Sequence, residues 1–144
     1  MRLSVITPTA GRQAGITLAE RWMARQTVQP FEWIVADGGM VPAALAMGQR
    51  HLHQPSEPGP ANFAGNVLRA LEAVQGDAVV IVEDDDYYFP NHLALCRAGL
   101  ERGKAYGCAT LNYFNVSERC WIRMGNRGSA LCQTAFRSDL IPRM

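Results

Sequence analysis

Long apolar runs are missing from this chain: no stretch approaches the ~20 residues that a membrane span needs, and the amino terminus runs into Leu3-Ser4-Val5-Ile6 without a cleavable signal pattern. A soluble, cytoplasmic protein without a transmembrane segment is expected. Charge of one sign is missing too. With 14 basic and 13 acidic residues the net charge is +1, so no global field draws nucleic acid or an anionic membrane to the surface. Cysteine lacks a ligand pattern: Cys96, Cys108, Cys120 and Cys132 form no CxxC pair and have no nearby histidine ligands, which leaves them as reduced, mostly buried thiols. Their regular twelve-residue interval is no repeat, because the flanking segments share no pattern. There is no GxxxxGK phosphate loop and no lysine before Lys104, which takes away the usual signature of P-loop phosphoryl transfer.

What is present is an abrupt junction. The apolar run Ala78-Val79-Val80-Ile81-Val82 ends directly in Glu83-Asp84-Asp85-Asp86. The run is short, β-branched and bounded by Gly76-Asp77 and Pro90-Asn91, which reads as a strand buried on both faces. Open parallel sheets carry their chemistry at the carboxyl ends of such strands. Adjacent carboxylates repel one another, and a hard divalent cation, Mg²⁺ or Mn²⁺, relieves that repulsion while bridging to phosphate oxygens. A solvated acidic loop is the competing reading, but such loops seldom begin at the end of a continuous β-branched run.

At 144 residues the chain is expected to form one domain. Leu3 to Pro8 reads as a first strand, with Thr7-Pro8-Thr9-Ala10-Gly11-Arg12 leading out of it. Ala14 to Gln26 reads as a helix whose Leu18, Ala19, Trp22 and Met23 share a face. Phe31 to Ala36 is a second strand closed by Asp37-Gly38-Gly39, and His51 to Gln54 suggests a short third one. Asn62 is placed to cap a helix carrying Ala64, Val67, Leu68, Leu71 and Val74, with Gly76 as its stop. Pro90-Asn91 opens another, with Leu93, Cys96 and Leu100 on one face and Gly103 at its end. Strands are expected at Tyr106 to Phe114, Trp121 to Met124 and Ala130 to Phe136, with turns at 115–119 and 125–128. Alternating strands and helices predict an α/β fold, a mostly parallel central sheet flanked by helices with a β-rich carboxyl-terminal part.

Val5-Ile6-Thr7-Pro8-Thr9 before a helix, Val35-Ala36-Asp37-Gly38-Gly39 after the second strand, and the acidic cluster three residues before Pro90 together resemble family 2 glycosyltransferases. The resemblance covers Arg2 to about Leu100, and the order and spacing of the elements carry it more than any one of them. It implies a Rossmann-like, A-type nucleotide-diphospho-sugar-binding fold, with residues 1–100 as the nucleotide-sugar half and 101–144 as the acceptor side. It implies that Pro8, Thr9 and Arg12 line a nucleotide pocket, that Asp37 contacts the base, and that Asp84 holds the ribose. It assigns the metal to Asp85, with Glu83 and Asp86 as further candidate ligands. The partners implied are a nucleotide-diphospho-sugar donor and a sugar or glycan acceptor, and the reaction implied is transfer with inversion.

The chain departs from the family in one respect. The acidic motif that normally follows a segment like Ser129 to Arg137 and supplies the catalytic base is absent, and no catalytic residue is assigned. Asp139 reads as a helix cap, and His92 as a first-turn residue with no part in proton transfer. A truncated fragment, a catalytically incomplete nucleotide-sugar-binding module, and a base supplied by the partner in a homo-oligomer all fit that departure. A metal-dependent nucleotidyltransferase is the further alternative, because paired carboxylates after a strand also serve that chemistry. Tyr87, Tyr88 and Trp121 are the aromatic candidates for stacking on an acceptor sugar, while Trp22 and Trp33 fit core positions. Arg119, Arg123 and Arg127 read as a solvated basic edge.

Overall fold

The computed structural model describes residues 1–115, 117–125 and 127–142. The chain runs β1 (Leu3–Thr9), α1 (Gln13–Ala24), β2 (Glu32–Asp37), β3 (Arg50–His53), α2 (Pro60–Glu72), β4 (Ala78–Ile81), α3 (His92–Leu100), β5 (Ala105–Gly107), β6 (Thr110–Asn115), β7 (Cys120–Gly125) and β8 (Thr134–Arg137). Six strands form one mixed sheet in the order β3-β2-β1-β4-β8-β5, and β6 pairs with β7 in a separate ribbon. The pairs β1–β2, β1–β4 and β2–β3 are parallel, whereas β8 runs antiparallel to both β4 and β5. Among the described residues no helix is long and apolar enough to cross a membrane.

Strand periodicity divides the core into two layers. Leu3, Val5, Trp33, Val35, Ala78, Val80 and Val82 join Ile16, Ala19 and Met23 of α1 and Leu93, Cys96 and Leu100 of α3. The alternate positions, Ile6, Ile34, Ala36, Val79 and Ile81, pack with Ala70, Val67 and Leu71 of α2. Both faces of the central strands are therefore covered, which is why β4 reads as an unbroken apolar run. Trp33 is buried, and its indole N–H donates to Thr7 Oγ1 at 2.9 Å, so the polar atoms of this layer satisfy each other.

Several expectations are corrected. The α1 core face is Ile16, Ala19 and Met23, while Leu18 is 42% exposed. In α2 the most buried stripe is Asn62, Asn66 and Ala70, and Leu68 and Ala64 point to solvent. Asn62 is thus inside the helix and does not cap it; Gly59 holds the cap position with Pro60 at the first turn, where a missing N–H costs nothing. The helix ends at Glu72 with Ala73 as its cap, four residues short of Gly76. Residues 130–136 are a 3₁₀ turn, Leu131–Gln133, followed by β8. Asp139 lies in a second 3₁₀ turn, caps nothing, and pairs with Lys104 at 3.3 Å. Of the four free thiols only Cys96 is fully buried, whereas Cys108 and Cys120 are exposed. The expected turns at 115–119 and 125–128 include positions 116 and 126, which lie outside the described residues.

Strand order fixes where a site can form. From β1 the chain moves outward to β2 and β3, then returns to place β4 on the other side of β1. Open α/β sheets bind ligands at such a reversal, in the crevice beyond the carboxyl ends of the strands. Here the crevice lies between Thr9 at the end of β1 and residues 83–86 after β4.

Candidate functional site

Pro8 is inside the strand that borders the crevice and keeps its register with Ala36 of β2. Ile6 O accepts from Val82 N at 3.0 Å on the β4 side, and Thr9 O accepts from Gly38 N at 3.0 Å on the β2 side. Alternation turns Pro8 towards β4, just past the last β1–β4 pair at Ile6 and Ile81, where its missing N–H offers no further rung. The ladder stops there, and the loops diverge.

The floor of the site is backbone. Asp37 is fully buried, and its carboxylate accepts from Gly11 N at 2.7 Å, Gly39 N at 2.8 Å and Ala43 N at 2.8 Å, with His51 Nε2 3.4 Å away. Burial alone would raise this carboxyl, but the N–H groups of Ala43, Gly39 and Gly11 together with His51 outweigh it and hold the group below the usual carboxylate range. Gly11 has φ +72°, and a Cβ on Gly39 would stand 2.5 Å from Gly11 Cα, so the loops after β1 and β2 meet without room for a side chain. Asn62 supports the second loop by donating to Gly38 O at 3.1 Å and Ser56 O at 2.9 Å. Asn66 donates to Thr9 O at 2.8 Å and to Asn62 Oδ1 at 2.8 Å. Nothing in the local sequence pattern marks these two buried amides as part of the site, because their partners are carbonyls on distant loops.

The wall is ionic. Asp84 is fully buried and accepts from Thr9 Oγ1 at 2.6 Å, from Arg12 Nε at 3.1 Å and from Arg12 Nη2. Arg12 Nη1 reaches on to Asp85 at 2.9 Å. Burial pushes the Asp84 carboxyl up, and the Thr9 and Arg12 bonds only partly offset it. Burial would likewise lower Arg12, but Asp84 and Asp85 outweigh it and raise the guanidinium. The opposite pulls have one cause: the desolvation of the pair falls on the enclosed carboxylate, while the Arg12 side chain is 50% exposed and keeps its hydration. We take the pair as ionic, since an arginine held by two carboxylates does not give up its proton.

Beside Arg12, Glu83, Asp85 and Asp86 each bring one carboxylate oxygen within 4.8 Å of the others. Three hard oxygen donors on one side suit Mg²⁺ or Mn²⁺, which keep other positions for water and phosphate. Burial raises the Glu83 carboxyl, and Asp86, Asp85 and Asp84 raise it further, a repulsion that a cation in the cluster would relieve. The donor set therefore fits such an ion.

Two residues complete the surroundings. Tyr88, expected as a stacking platform, is 4% exposed, and its hydroxyl accepts from Glu83 N at 2.8 Å, so it braces the acidic loop from below. Cys132 comes from the far end of the chain; its thiol is pushed up to about 12 by burial and by the nearby Asp86 and Glu83 carboxylates. Sequence reading misses it because no local signal ties residue 132 to residue 86. Tyr87 and Trp121 remain exposed, at 48% and 67%, and Tyr87 meets Trp22 edge-on with centroids 4.7 Å apart. His92 starts α3 against Tyr88, and burial lowers its imidazole to about 4. Two concavities, of about 320 and 540 Å³, lie along α2 and beside residues 138–142 and include none of the four consecutive carboxylates.

The fold and the family can be compared with known proteins. S. aureus TarS 1–349 superposes with a TM-score of 0.62 at 17% identity, over 98% of this chain and 48% of that one. The same protein in complex with UDP-GlcNAc matches with a TM-score of 0.50 at 22% identity, over 71% of this chain and 32% of that one. The 2-C-methyl-D-erythritol 4-phosphate cytidylyltransferase from Thermus thermophilus matches with a TM-score of 0.61 at 19% identity, over 97% of this chain and 72% of that one. Against a longer S. aureus TarS chain, the match takes in 71% of this chain and spans a fifth of that one. No curated protein matches the sequence. At these identities the structures show a shared fold, a mixed sheet flanked by helices. The family model described as glycosyl transferase family 2 matches residues 4–140, nearly the whole chain, and the protein belongs to that family.

Proposed function

We propose that the chain moves a sugar from a nucleotide-diphosphate donor to an acceptor hydroxyl, with inversion and with a divalent cation. The observation that carries the reading is the convergence of Glu83, Asp85 and Asp86 oxygens within 4.8 Å at the carboxyl end of the central strand, beside Arg12. Membership of family 2 and the UDP-GlcNAc and UDP complexes of TarS support a nucleotide-sugar donor. In this reading Pro8, Thr9, Arg12, Asp37 and Asp84 belong to the nucleotide side. Thr9 and Arg12 enclose the Asp84 carboxylate assigned to the ribose, so it backs the ribose side of the pocket from beneath them, and Asp37 holds the two glycine loops against which a base lies. Glu83, Asp85 and Asp86 would hold Mn²⁺ or Mg²⁺, which neutralises charge on a departing diphosphate. Tyr87 and Trp121, both exposed, suit the apolar face of an acceptor ring.

The test is thermal unfolding with UDP, GDP, dTDP and CDP, each with and without Mn²⁺. A ligand at ~100 times its dissociation constant stabilises by about 2.7 kcal/mol, roughly 5–10 °C here. A shift with one nucleotide that needs Mn²⁺ supports the donor and metal assignments, and donor hydrolysis then separates a transferase from a module that only binds. The cytidylyltransferase neighbour, matched over 97% of this chain, keeps nucleotidyl transfer as a second reading. Pyrophosphate release from CTP, with no turnover of any sugar nucleotide, would favour it.

A further inference from the structure

Asp85 is claimed twice. Its carboxylate accepts from Arg12 Nη1 at 2.9 Å, and it also supplies one of the three oxygens gathered within 4.8 Å of one another. Arg12 is firmly based. Its Nε and Nη2 fork onto Asp84, which is fully buried and fixed again by Thr9 Oγ1 at 2.6 Å. The residue before it, Gly11, is tied through its N–H to Asp37 at 2.7 Å and packs directly on Gly39. The third donor therefore reaches Asp85 from a fixed point, whereas the Asp85 side chain is 58% exposed and is the partner able to move.

On the reading that Glu83, Asp85 and Asp86 hold a divalent cation, we propose that Arg12 is a built-in placeholder for it. The guanidinium retains the Asp85 carboxylate until the cation takes it, and the Nη1 donor so released becomes available to a phosphate of the nucleotide. Two cations on one carboxylate repel, so each weakens the other's hold. Without metal, the arginine offsets the repulsion among four consecutive carboxylates and keeps the site assembled. With metal, Nε and Nη2 stay on Asp84 and the freed Nη1 donates a charge-assisted hydrogen bond to a phosphate oxygen. Arg12 thus acts as a positioning residue in one state and a ligand-binding residue in the other.

The experiment titrates Mn²⁺ alone into the parent chain, Arg12→Lys and Arg12→Gln, reading unbound Mn²⁺ by electron paramagnetic resonance and checking each protein for cooperative unfolding. Lysine keeps the charge near Asp84 but has a single ammonium in place of the fork, so it does not hold Asp84 and Asp85 together. Both variants are expected to bind Mn²⁺ about two- to fivefold more tightly than the parent, the scale of a partly exposed ion pair. Mn²⁺ should also raise their unfolding temperature by more than it raises the parent's. Tightening in Arg12→Gln alone would mean that charge through space, and not retention of Asp85, opposes the metal, and would overturn the inference. Equal affinity in all three would overturn it while leaving the metal site standing. Binding by none of the three would overturn the metal site itself, and the inference with it.

Discussion

Asp37→Asn changes one atom at the floor of the site and should be among the costliest polar substitutions in the chain. The carboxylate accepts from three backbone N–H groups, Gly11 and Gly39 on one oxygen and Ala43 on the other, and is fully buried. An amide oxygen placed towards Gly11 and Gly39 keeps two of these bonds but turns an NH₂ towards the Ala43 N–H, so the third bond becomes donor against donor. Losing that charge-assisted bond costs roughly 1.5–3 kcal/mol, and the two that remain weaken by about 1 kcal/mol each once the charge is gone. Relief of the buried charge offsets part of this, which leaves a net loss of roughly 2–4 kcal/mol from a total of about 5–15 kcal/mol. The assay is urea unfolding at pH 7. Its pH dependence has a definite sign. The folded carboxyl is held below its ordinary value, so the stabilisation is complete above the unfolded pKa of about 3.9 and is lost as pH falls through the folded value. The gap in stability between parent and variant should therefore narrow below about pH 4. A variant within about 0.5 kcal/mol of the parent at pH 7, or a gap unchanged in acid, refutes this account of Asp37; a threshold of that size is ordinary surface variation.

Gly39→Ala would put a Cβ 2.5 Å from Gly11 Cα and N and 2.8 Å from Ala10 C, all backbone, so the two loops must part. The expected loss is about 1–3 kcal/mol by urea titration, and an unchanged midpoint would disprove the close approach. Val80→Asp places a charge in the strand between Val5 and Ala135, at a position fully shielded from water, and should abolish cooperative folding; a soluble variant with a sharp thermal transition would contradict this. Asp85→Ala removes an exposed carboxylate and should leave metal-free stability within about 0.5 kcal/mol while eliminating Mn²⁺-dependent nucleotide stabilisation. Retention of that Mn²⁺ effect would exclude Asp85 as a ligand.

Most of the parallel half of the sheet was legible because its signals are local. The run 78–82 is apolar at every position since β4 is covered on both faces, and the carboxylates begin where that cover stops. The helix faces were less legible. Hydrophobic periodicity puts Leu68 inward, yet Asn62 and Asn66 take the buried stripe because Gly38 O, Ser56 O and Thr9 O offer them partners across the crevice. Burying an amide is unfavourable unless its partners are in place, and those partners come from loops that a window along the chain does not contain. Tyr88 and Cys132 escaped for the same reason. One bonds a backbone N–H that only the turn after β4 exposes, and the other reaches Asp86 from more than forty positions away. The antiparallel entry of β8 between β4 and β5 likewise depends on pairing that strand propensity does not encode.

That late strand sets a schedule for the chain as it is made. Once residues through Ile81 have emerged, β1 to β4 can pair and gather α1 and α2, but the outer edge of β4 has no partner until Thr134–Arg137 arrives. At about 5–20 residues per second, the intervening fifty or so residues leave an Ala-Val-Val-Ile edge open on the ribosome for roughly 3–10 seconds. An apolar, unpaired edge is a template for pairing with another chain. β5 waits as well, because β8 is its neighbour in the sheet. A nascent chain stalled between residues 82 and 133 would present a sticky margin, whereas one carried past residue 137 would have it sealed, so aggregation during synthesis should depend on how fast the ribosome crosses this interval.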